Sequence, residues 1–372
     1  MRVITDTSPL FTRYLNPNYP NCLMENTNFF EKLTNKTEPF IIAEIGSNHM
    51  GETSIAKELI DAAKEAGCHC VKFQSWAWND INSKVLFEKR KDYTAPGLTE
   101  VGLEAVNKKC QLTKEQHVEL KQYCDEIGIY FASSPFGEQW IDILDELDVP
   151  FYKIGSMEVT NLDWLRKIAK KGRPIIMSTG MCELSEISRA VEIMKEEGND
   201  QIVLLHCVAL YPPGDEFINL EQIRWLKNTF NLPVGFSDHS KTIEFPLASI
   251  ALGASVIEKH FMLSEERPCR EKKVSITKEE MTRLCEYAKR MYIAKGTYYK
   301  VVSVEEKAKR VKMRRSILTT KDLPAGHVIS RADIIYKRPG NGIPCFESKA
   351  VIGRKLNRNI PYDEVIKWED IE

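Results

Sequence analysis

Short runs of apolar and β-branched residues recur along the chain, and each after the first is preceded by a helical pattern. They are Phe40–Gly46 (FIIAEIG), 71–76 (VKFQSW), 130–136 (YFASSPF), 151–156 (FYKIGS), 174–180 (PIIMSTG), 202–208 (IVLLHCV), 234–239 (VGFSDH) and 256–261 (VIEKHF). The segments between them read as amphipathic helices. Residues 53–66 open on Thr-Ser, place Ile55, Leu59, Ala62, Ala63 and Ala66 at helical spacing and stop at Gly67. Residues 181–197 and 220–229 behave alike. Eight strand–helix repeats in about 260 residues match the size of a (β/α)₈ TIM barrel of the α/β class. An open doubly wound sheet is the rival, but residues 46–51 (GSNHMG) lack the glycine spacing of a dinucleotide fingerprint after the first strand.

The pattern divides the chain into an N-terminal extension (1–38), the barrel (39–300), a charged linker (301–312) and a small β-rich domain (313–372). The extension, rich in Asn and Pro, resembles no element and reads as a plug for the barrel floor or a free arm. Residues 77–128 mix Trp78, Tyr93 and Pro96 with charges ahead of a helix at 114–127; over a barrel mouth they would form a lid or a substrate wall. Turns at 323–326 (LPAG) and 338–342 (RPGNG) break the last segment into short strands, close to the smallest size that supports its own core.

Composition narrows the function. With 52 Lys+Arg against 53 Asp+Glu the net charge is −1, so there is no basic surplus to grip a nucleic acid. No run approaches the ~18 consecutive apolar residues of a membrane span. Residues 1–6 (MRVITD) lack the apolar core of a signal peptide. Ten cysteines without such a signal imply reduced thiols and a cytoplasmic location. Cys68-His69-Cys70 has the wrong spacing for a zinc or redox site and reads as core filling.

A barrel strand is buried on both faces, so a polar residue near its C-terminal end needs a reason. Nearly every strand here has one. They are Glu44; Lys72 and Gln74; Ser133 and Ser134; Lys153, Ser156 and Glu158; Ser178 and Thr179; His206; Ser237, Asp238 and His239; and Glu258 and His260. Barrel active sites are assembled at this rim. One such residue is ordinarily a hydrogen-bonded structural group; a full ring of them predicts a site. Lys72 and Lys153 with Ser134, Ser156 and Ser178 offer donors to a phosphate or carboxylate. His239 and His260, at the ends of adjacent strands, suit a divalent metal. His49 either joins them or stabilises its turn, while His69, His117 and His327 read as surface groups. A metal, two lysines and a carboxylate in one pocket suit the joining of an enol phosphate to a carbonyl.

The motifs FIIAEIGSNHMG (40–51), VKFQS (71–75), SSPF (133–136), YKIGS (152–156), MSTGM (177–181), GFSDH (235–239) and IEKHF (257–261) together resemble the sialic acid (N-acetylneuraminate) synthase family in order and spacing. KRPGNGI (337–343) and VIGRKL (351–356) look like that family's C-terminal antifreeze-like, β-clip domain. The resemblance implies condensation of phosphoenolpyruvate with an N-acylated hexosamine, normally N-acetylmannosamine, to a nine-carbon 2-keto acid and phosphate. It implies Mn²⁺ or Mg²⁺ on His239 and His260, and phosphoenolpyruvate on Lys72, Ser134, Lys153, Ser156, Ser178 and Ser237. Glu158 joins these as a binding candidate; Gln74, Tyr211 and Arg338 would face the sugar, with Glu44 and Glu258 near the reacting atoms. It also implies a homodimer in which the small domain, with Arg338, covers the partner's barrel.

Two departures fall at the pocket. Ala209, in His206-Cys207-Val208-Ala209-Leu210-Tyr211, stands where the family commonly has an amide or hydroxyl side chain. Arg270-Glu271-Lys272-Lys273 replaces the usual Pro-Asp-His-Lys, with Glu271 standing in for a sugar-contacting Asp. Legionaminate- or pseudaminate-type precursors therefore stay open as acceptors. Two other classes are weighed: another phosphoenolpyruvate-dependent barrel, not expected to carry the 314–372 module, and a non-catalytic carbohydrate-binding protein, which would not need Lys72, Lys153, His239 and His260.

Overall fold

Each apolar run becomes a strand whose two faces are both covered, which is why the sequence shows continuous rather than alternating hydrophobicity. The computed structural model describes residues 29–34 and 37–372, in two units, Met1–Gly296 and Thr297–Glu372. In the first, β1 (Phe40–Gly46), β2 (Cys70–Ser75), β3 (Tyr130–Pro135), β4 (Tyr152–Ile154), β5 (Ile175–Ser178), β6 (Ile202–Cys207), β7 (Val234–Asp238) and β8 (Val256–His260) form one parallel sheet. Its order is β3-β2-β1-β8-β7-β6-β5-β4, and β3 packs against β4 at the remaining seam, so the sheet closes as the predicted barrel.

Helices wrap the outside: α2 (Thr53–Glu65), α5 (Lys114–Ile127), α6 (Glu138–Glu146), α7 (Leu162–Ala169), α8 (Leu184–Glu196), α9 (Gln222–Phe230), α10 (Glu244–Ala251) and α11 (Lys278–Lys295). Outward strand residues such as Ile41, Val71, Phe131 and Ile257 pack under these helices. Inward residues at the strand starts, among them Phe40, Ile42, Cys70, Phe151 and Val203, fill the barrel floor. A short helix, α1 (Phe29–Leu33), plugs this end. Its Phe29 ring lies 4.9 Å from Tyr130 and 5.7 Å from both Phe40 and Phe151. That is the plug expected of the extension; the rest of the expectation, on residues 1–28, 35 and 36, lies outside the described residues.

The segment expected to be a lid is mostly helical, with α3 (Lys84–Lys89) and α4 (Leu103–Cys110) ahead of α5. Trp76, Ala95, Val106 and Cys110 give it a small core of its own. Of the three histidines expected at the surface, His327 and His69 are half-buried and His117 is not at the surface at all. His117 is fully buried, with Nε2 2.8 Å from Ser75 Oγ and Nδ1–H donating to Thr113 O at 2.8 Å. His69 is half-buried and accepts from the Ile41 amide at 3.1 Å. Cys68 and Cys70 are buried, the former 3.8 Å from Cys285, as core filling requires.

Strand register brings the polar ends together. Glu44 pairs with Lys72 on one side and His260 on the other, Gln74 with Ser134, and Ser237 with Glu258. The neighbouring register pair, Asp238 and Lys259, points outward instead. Lys259 Nζ meets Asp238 Oδ2 at 2.6 Å with both side chains fully buried, and also bonds Ser240 O. Removing one member of such a pair strands a charge. Lys259→Met is therefore expected to lower the unfolding free energy by about 3–5 kcal/mol. Adding Asp238→Asn should recover much of this, as read from urea midpoints; equal midpoints for wild type and the single variant would disprove the role.

The second unit contains α12 (Val304–Met313), α13 (Ser348–Val351) and an antiparallel pair, β9 (Ser316–Thr319) with β10 (Ile334–Lys337). Its core is Ile317, Leu323, Ile329, Ile334, Ile343, Val351, Leu356, Ile360 and Ile366. The expected linker, 301–312, is thus corrected. It is mostly helix, begun by Ser303, whose side chain accepts from the Glu306 amide at 3.0 Å. Among the described residues no helix is long and apolar enough to cross a membrane.

Candidate active site

The C-terminal strand ends surround a cavity of about 310 Å³. Of the sequence-predicted residues, Glu44, Lys72, Gln74, Ser134, Lys153, Ser156, Ser178, Tyr211, Ser237, His239, Glu258, His260 and Glu271 all line it. Two do not. Glu158 turns away from the cavity lining and accepts from Asn161 Nδ2 at 3.3 Å, bracing the turn after β4. Arg338 belongs to the second unit, exposed at the end of β10. The turn that follows it is braced by Ser316, whose Oγ donates to Pro339 O at 2.7 Å and accepts from the Gly342 amide at 2.9 Å. No residue of 77–128 lines the cavity, so the lid or wall expected there is not part of it. His49 takes the turn role: it is buried and accepts from the Gly51 amide at 3.0 Å.

At the centre are two lysines and two glutamates. Lys72 Nζ lies 2.5 Å from Glu44 Oε2 and 3.9 Å from Glu258 Oε2, and donates to Ser134 Oγ at 3.2 Å. Lys153 Nζ donates to Ser178 Oγ at 2.8 Å and lies 3.5 Å from Glu258 Oε1. Ser237 Oγ donates to the same Oε1 at 2.9 Å, and Gln74 Nε2 donates to Glu44 Oε1 at 3.0 Å.

These contacts drive the carboxylates apart. Burial alone would raise Glu258, but Lys153, Lys72 and Ser237 together hold it at about 2. Burial does win at Glu44, which is pushed up despite Lys72, with repulsion from Glu258 and Glu271 adding to it. Burial likewise lowers Lys153. The two carboxyls are thereby biased in opposite directions, Glu44 toward holding a proton and Glu258 toward staying ionised.

The two histidines stand above this floor with ring centroids 5.3 Å apart. His239 Nδ1–H donates to Val208 O at 2.8 Å, which leaves Nε2 as its free lone pair, and Tyr211 stacks on its ring at 4.0 Å. His260 Nδ1 faces Glu271 Oε2 at 3.3 Å. Asn48, from the β1 turn, accepts from the Glu271 amide at 2.9 Å and so sets that loop. Glu44 Oε2, Glu258 Oε2, His260 Nδ1 and Glu271 Oε2 are buried, each facing an ion-pair partner but without a well-directed hydrogen bond. All four belong to residues that line the cavity, so a ligand there would complete a polar network that is otherwise costly.

The sequence pattern did not mark Phe136, Met157, Met181 or Cys207 as cavity residues. The apolar ones carry the same signal as core positions. Cys207, with Sγ 4.0 Å from His239 Nδ1, continues an apolar strand.

Comparison with known proteins agrees with the motifs. The profile of the NeuB family matches residues 59–300 and that of the SAF domain residues 314–372. The chain is 38% identical over 338 residues to the N,N'-diacetyllegionaminic acid synthase of Legionella pneumophila, covering 90% of this chain and 94% of that protein. It is 32% identical over 337 residues to the N-acetylneuraminate-9-phosphate synthase of Mus musculus, covering 90% and 92%. A solved N-acetylneuraminic acid synthetase from Leptospira borgpetersenii superposes with a TM-score of 0.66 at 32% identity, covering 74% of this chain and 90% of that one. With a barrel and a small C-terminal domain matched in the order that the motifs predicted, the chain belongs to the NeuB family of enzymes.

Proposed function

We propose that the barrel condenses phosphoenolpyruvate with an N-acylated hexosamine, giving a nine-carbon 2-keto sugar acid and phosphate. The observation that carries this reading is the cavity floor. Two buried ammonium groups with hydroxyl partners lie beside Glu258, beneath two histidines on adjacent strands. Lys72 and Lys153, with Ser134 and Ser178, would hold the phosphate and carboxylate oxygens of phosphoenolpyruvate, and their fixed charges would orient its C3 toward the mouth. Glu44 would give a proton to the acceptor's carbonyl oxygen as C3 attacks. Glu258, kept ionised, would orient the water that adds at C2, whose protons pass to the departing phosphate as the C2–O bond breaks and the ketone forms. Gln74, Tyr211 and Glu271 would face the sugar.

His239 and His260 fit a divalent ion, Mn²⁺ or Mg²⁺, by donor type and by the unsatisfied polar atoms around them. Among the described residues no group of three or more His, Cys, Asp or Glu forms a complete ligand cluster, so substrate and water would supply the other ligands. When bound, the ion would polarise the acceptor's carbonyl as a Lewis acid. Phosphate release should therefore need phosphoenolpyruvate, acceptor and metal together. It should stop on chelation and return with Mn²⁺ or Mg²⁺, and full turnover in chelator would remove the metal from the account.

For Arg338 we propose a role in a second copy's site, within a homodimer. Mixing Arg338→Ala chains with His239→Ala chains would then restore roughly a quarter of all sites. Mixed dimers no more active than either parent would place Arg338 outside the site.

A further inference from the structure

The loop after β8 brings Glu271 to the cavity on a backbone that is fixed from both sides. The Glu271 amide donates to Asn48 Oδ1 at 2.9 Å, and its carbonyl accepts from Ser275 Oγ at 2.9 Å. Asn48 Nδ2 in turn donates to Ser275 Oγ at 3.0 Å and to Phe261 O at 2.9 Å, with Asn48 and Ser275 both buried. One residue on, Lys272 O accepts from Lys241 Nζ at 2.8 Å.

The side chain is held as closely. Gly46, with φ +54° at the end of β1, makes room for it: a Cβ there would overlap Glu271 Oε2 and lie 3.2 Å from Gln74 Nε2. Seated against this glycine, Oε2 faces His260 Nδ1 at 3.3 Å, and the His260 side chain is 6% exposed. Nδ1 is the buried nitrogen of that ring, which leaves Nε2 for the cavity that His260 lines. His239 is disposed alike, with Nδ1–H on Val208 O and Nε2 free. The two acceptors differ. A neutral carbonyl backs one histidine and a carboxylate backs the other.

Resting on the metal-assisted condensation proposed above, we infer that Glu271 is a positioning residue for the divalent ion: it holds His260 through Nδ1–H, so that Nε2 presents its lone pair to the metal. A carboxylate behind a ligating imidazole fixes the tautomer and the ring orientation, and it makes the free nitrogen a more basic ligand. This role is distinct from the sugar contact that Glu271 would make simply by standing in for an aspartate. Its carboxylate sits one methylene farther from a backbone that Asn48 and Ser275 hold still, and that reach carries Oε2 to His260. From the same backbone an aspartate carboxylate would stop short of the seat on Gly46. Facing the sugar and holding His260 are compatible, since Glu271 lines the cavity, but only the second acts on an ion when no sugar is present.

The test therefore reads Mn²⁺ alone. The full chain, without phosphoenolpyruvate or acceptor, is titrated with Mn²⁺ and the free ion is followed by electron paramagnetic resonance, with circular dichroism as the check on folding. Glu271→Gln, nearly the same in shape, should weaken binding by about 10- to 100-fold. Glu271→Asp keeps the charge but shortens the reach, and should also lose about 10-fold or more. A residue that only faced the sugar would leave both titrations at wild-type affinity and raise the acceptor's KM instead. That result overturns the inference and leaves the condensation intact. Wild-type affinity in folded Glu271→Asp alone overturns it as well, because negative charge in the pocket, and not contact with His260, would then set the affinity. A wild type that binds Mn²⁺ but joins phosphoenolpyruvate to no N-acylated hexosamine would sink the condensation, and the titration would still decide what Glu271 does for the ion.

Discussion

Lys72→Met is expected to lower kcat/KM for phosphoenolpyruvate by about 10³-fold. Its Nζ lies within 4 Å of both glutamates of the floor, at 2.5 Å from Glu44 and 3.9 Å from Glu258, and donates to Ser134 Oγ. On the proposed condensation, removing it takes away a cation whose attraction grows as phosphate becomes the leaving group, so kcat should fall as well as KM rise. It also leaves Glu44 and Glu258 repelling each other, which would raise Glu44 further and cost stability. Circular dichroism at the assay temperature separates that effect from the catalytic one. Lys72→Arg keeps the charge but spreads it over a planar fork, and should recover only part of the activity. A loss below about tenfold in the folded methionine variant would show that the lysine does not contact the reacting phosphate.

His239→Ala is expected to abolish Mn²⁺ binding at the site and to lower kcat by a comparable factor, about 4 kcal/mol in barrier. The fold should survive, because the side chain's contacts are few and lie at the cavity: a hydrogen bond to Val208 O, Cys207 Sγ at 4.0 Å, and the rings of Tyr211 and His260. Electron paramagnetic resonance of added Mn²⁺ reads binding without relying on turnover. Retained high-affinity binding in this variant would move the ion elsewhere in the pocket.

Much of the site was legible because a barrel makes strand ends special. Lys72 and Gln74, or Glu258 and His260, are polar at alternate positions of runs that are otherwise apolar, and that contrast survives without any structure. Strand ends were placed one or two residues late, as at Trp76 and Val208, because the apolar pattern continues after the ladder stops. Glu158 shared the polar signal but folds back to Asn161, a contact at i+3 that strand spacing does not reveal.

His117 was misplaced although a signal existed. With Leu120 and Cys124 it lies on the buried face of α5, at helical spacing. The helix within 301–312 was legible too, from Ser303 followed by Glu306, a helix-start signature obscured by the charges around it. The apolar rim at Met157 and Met181 had no such signal. Only folding shows that these side chains face a cavity rather than the core.

The central claim is a carbon–carbon condensation in which phosphoenolpyruvate loses phosphate by cleavage of its C–O bond. Phosphoenolpyruvate labelled with ¹⁸O in the bridging position, incubated with enzyme, Mn²⁺ and an N-acylated hexosamine, tests it in one mass spectrum. The account predicts labelled inorganic phosphate and an unlabelled product heavier than the acceptor by one pyruvate unit. Label retained in the keto acid, or an acceptor that gains a phosphoryl group instead, would contradict it.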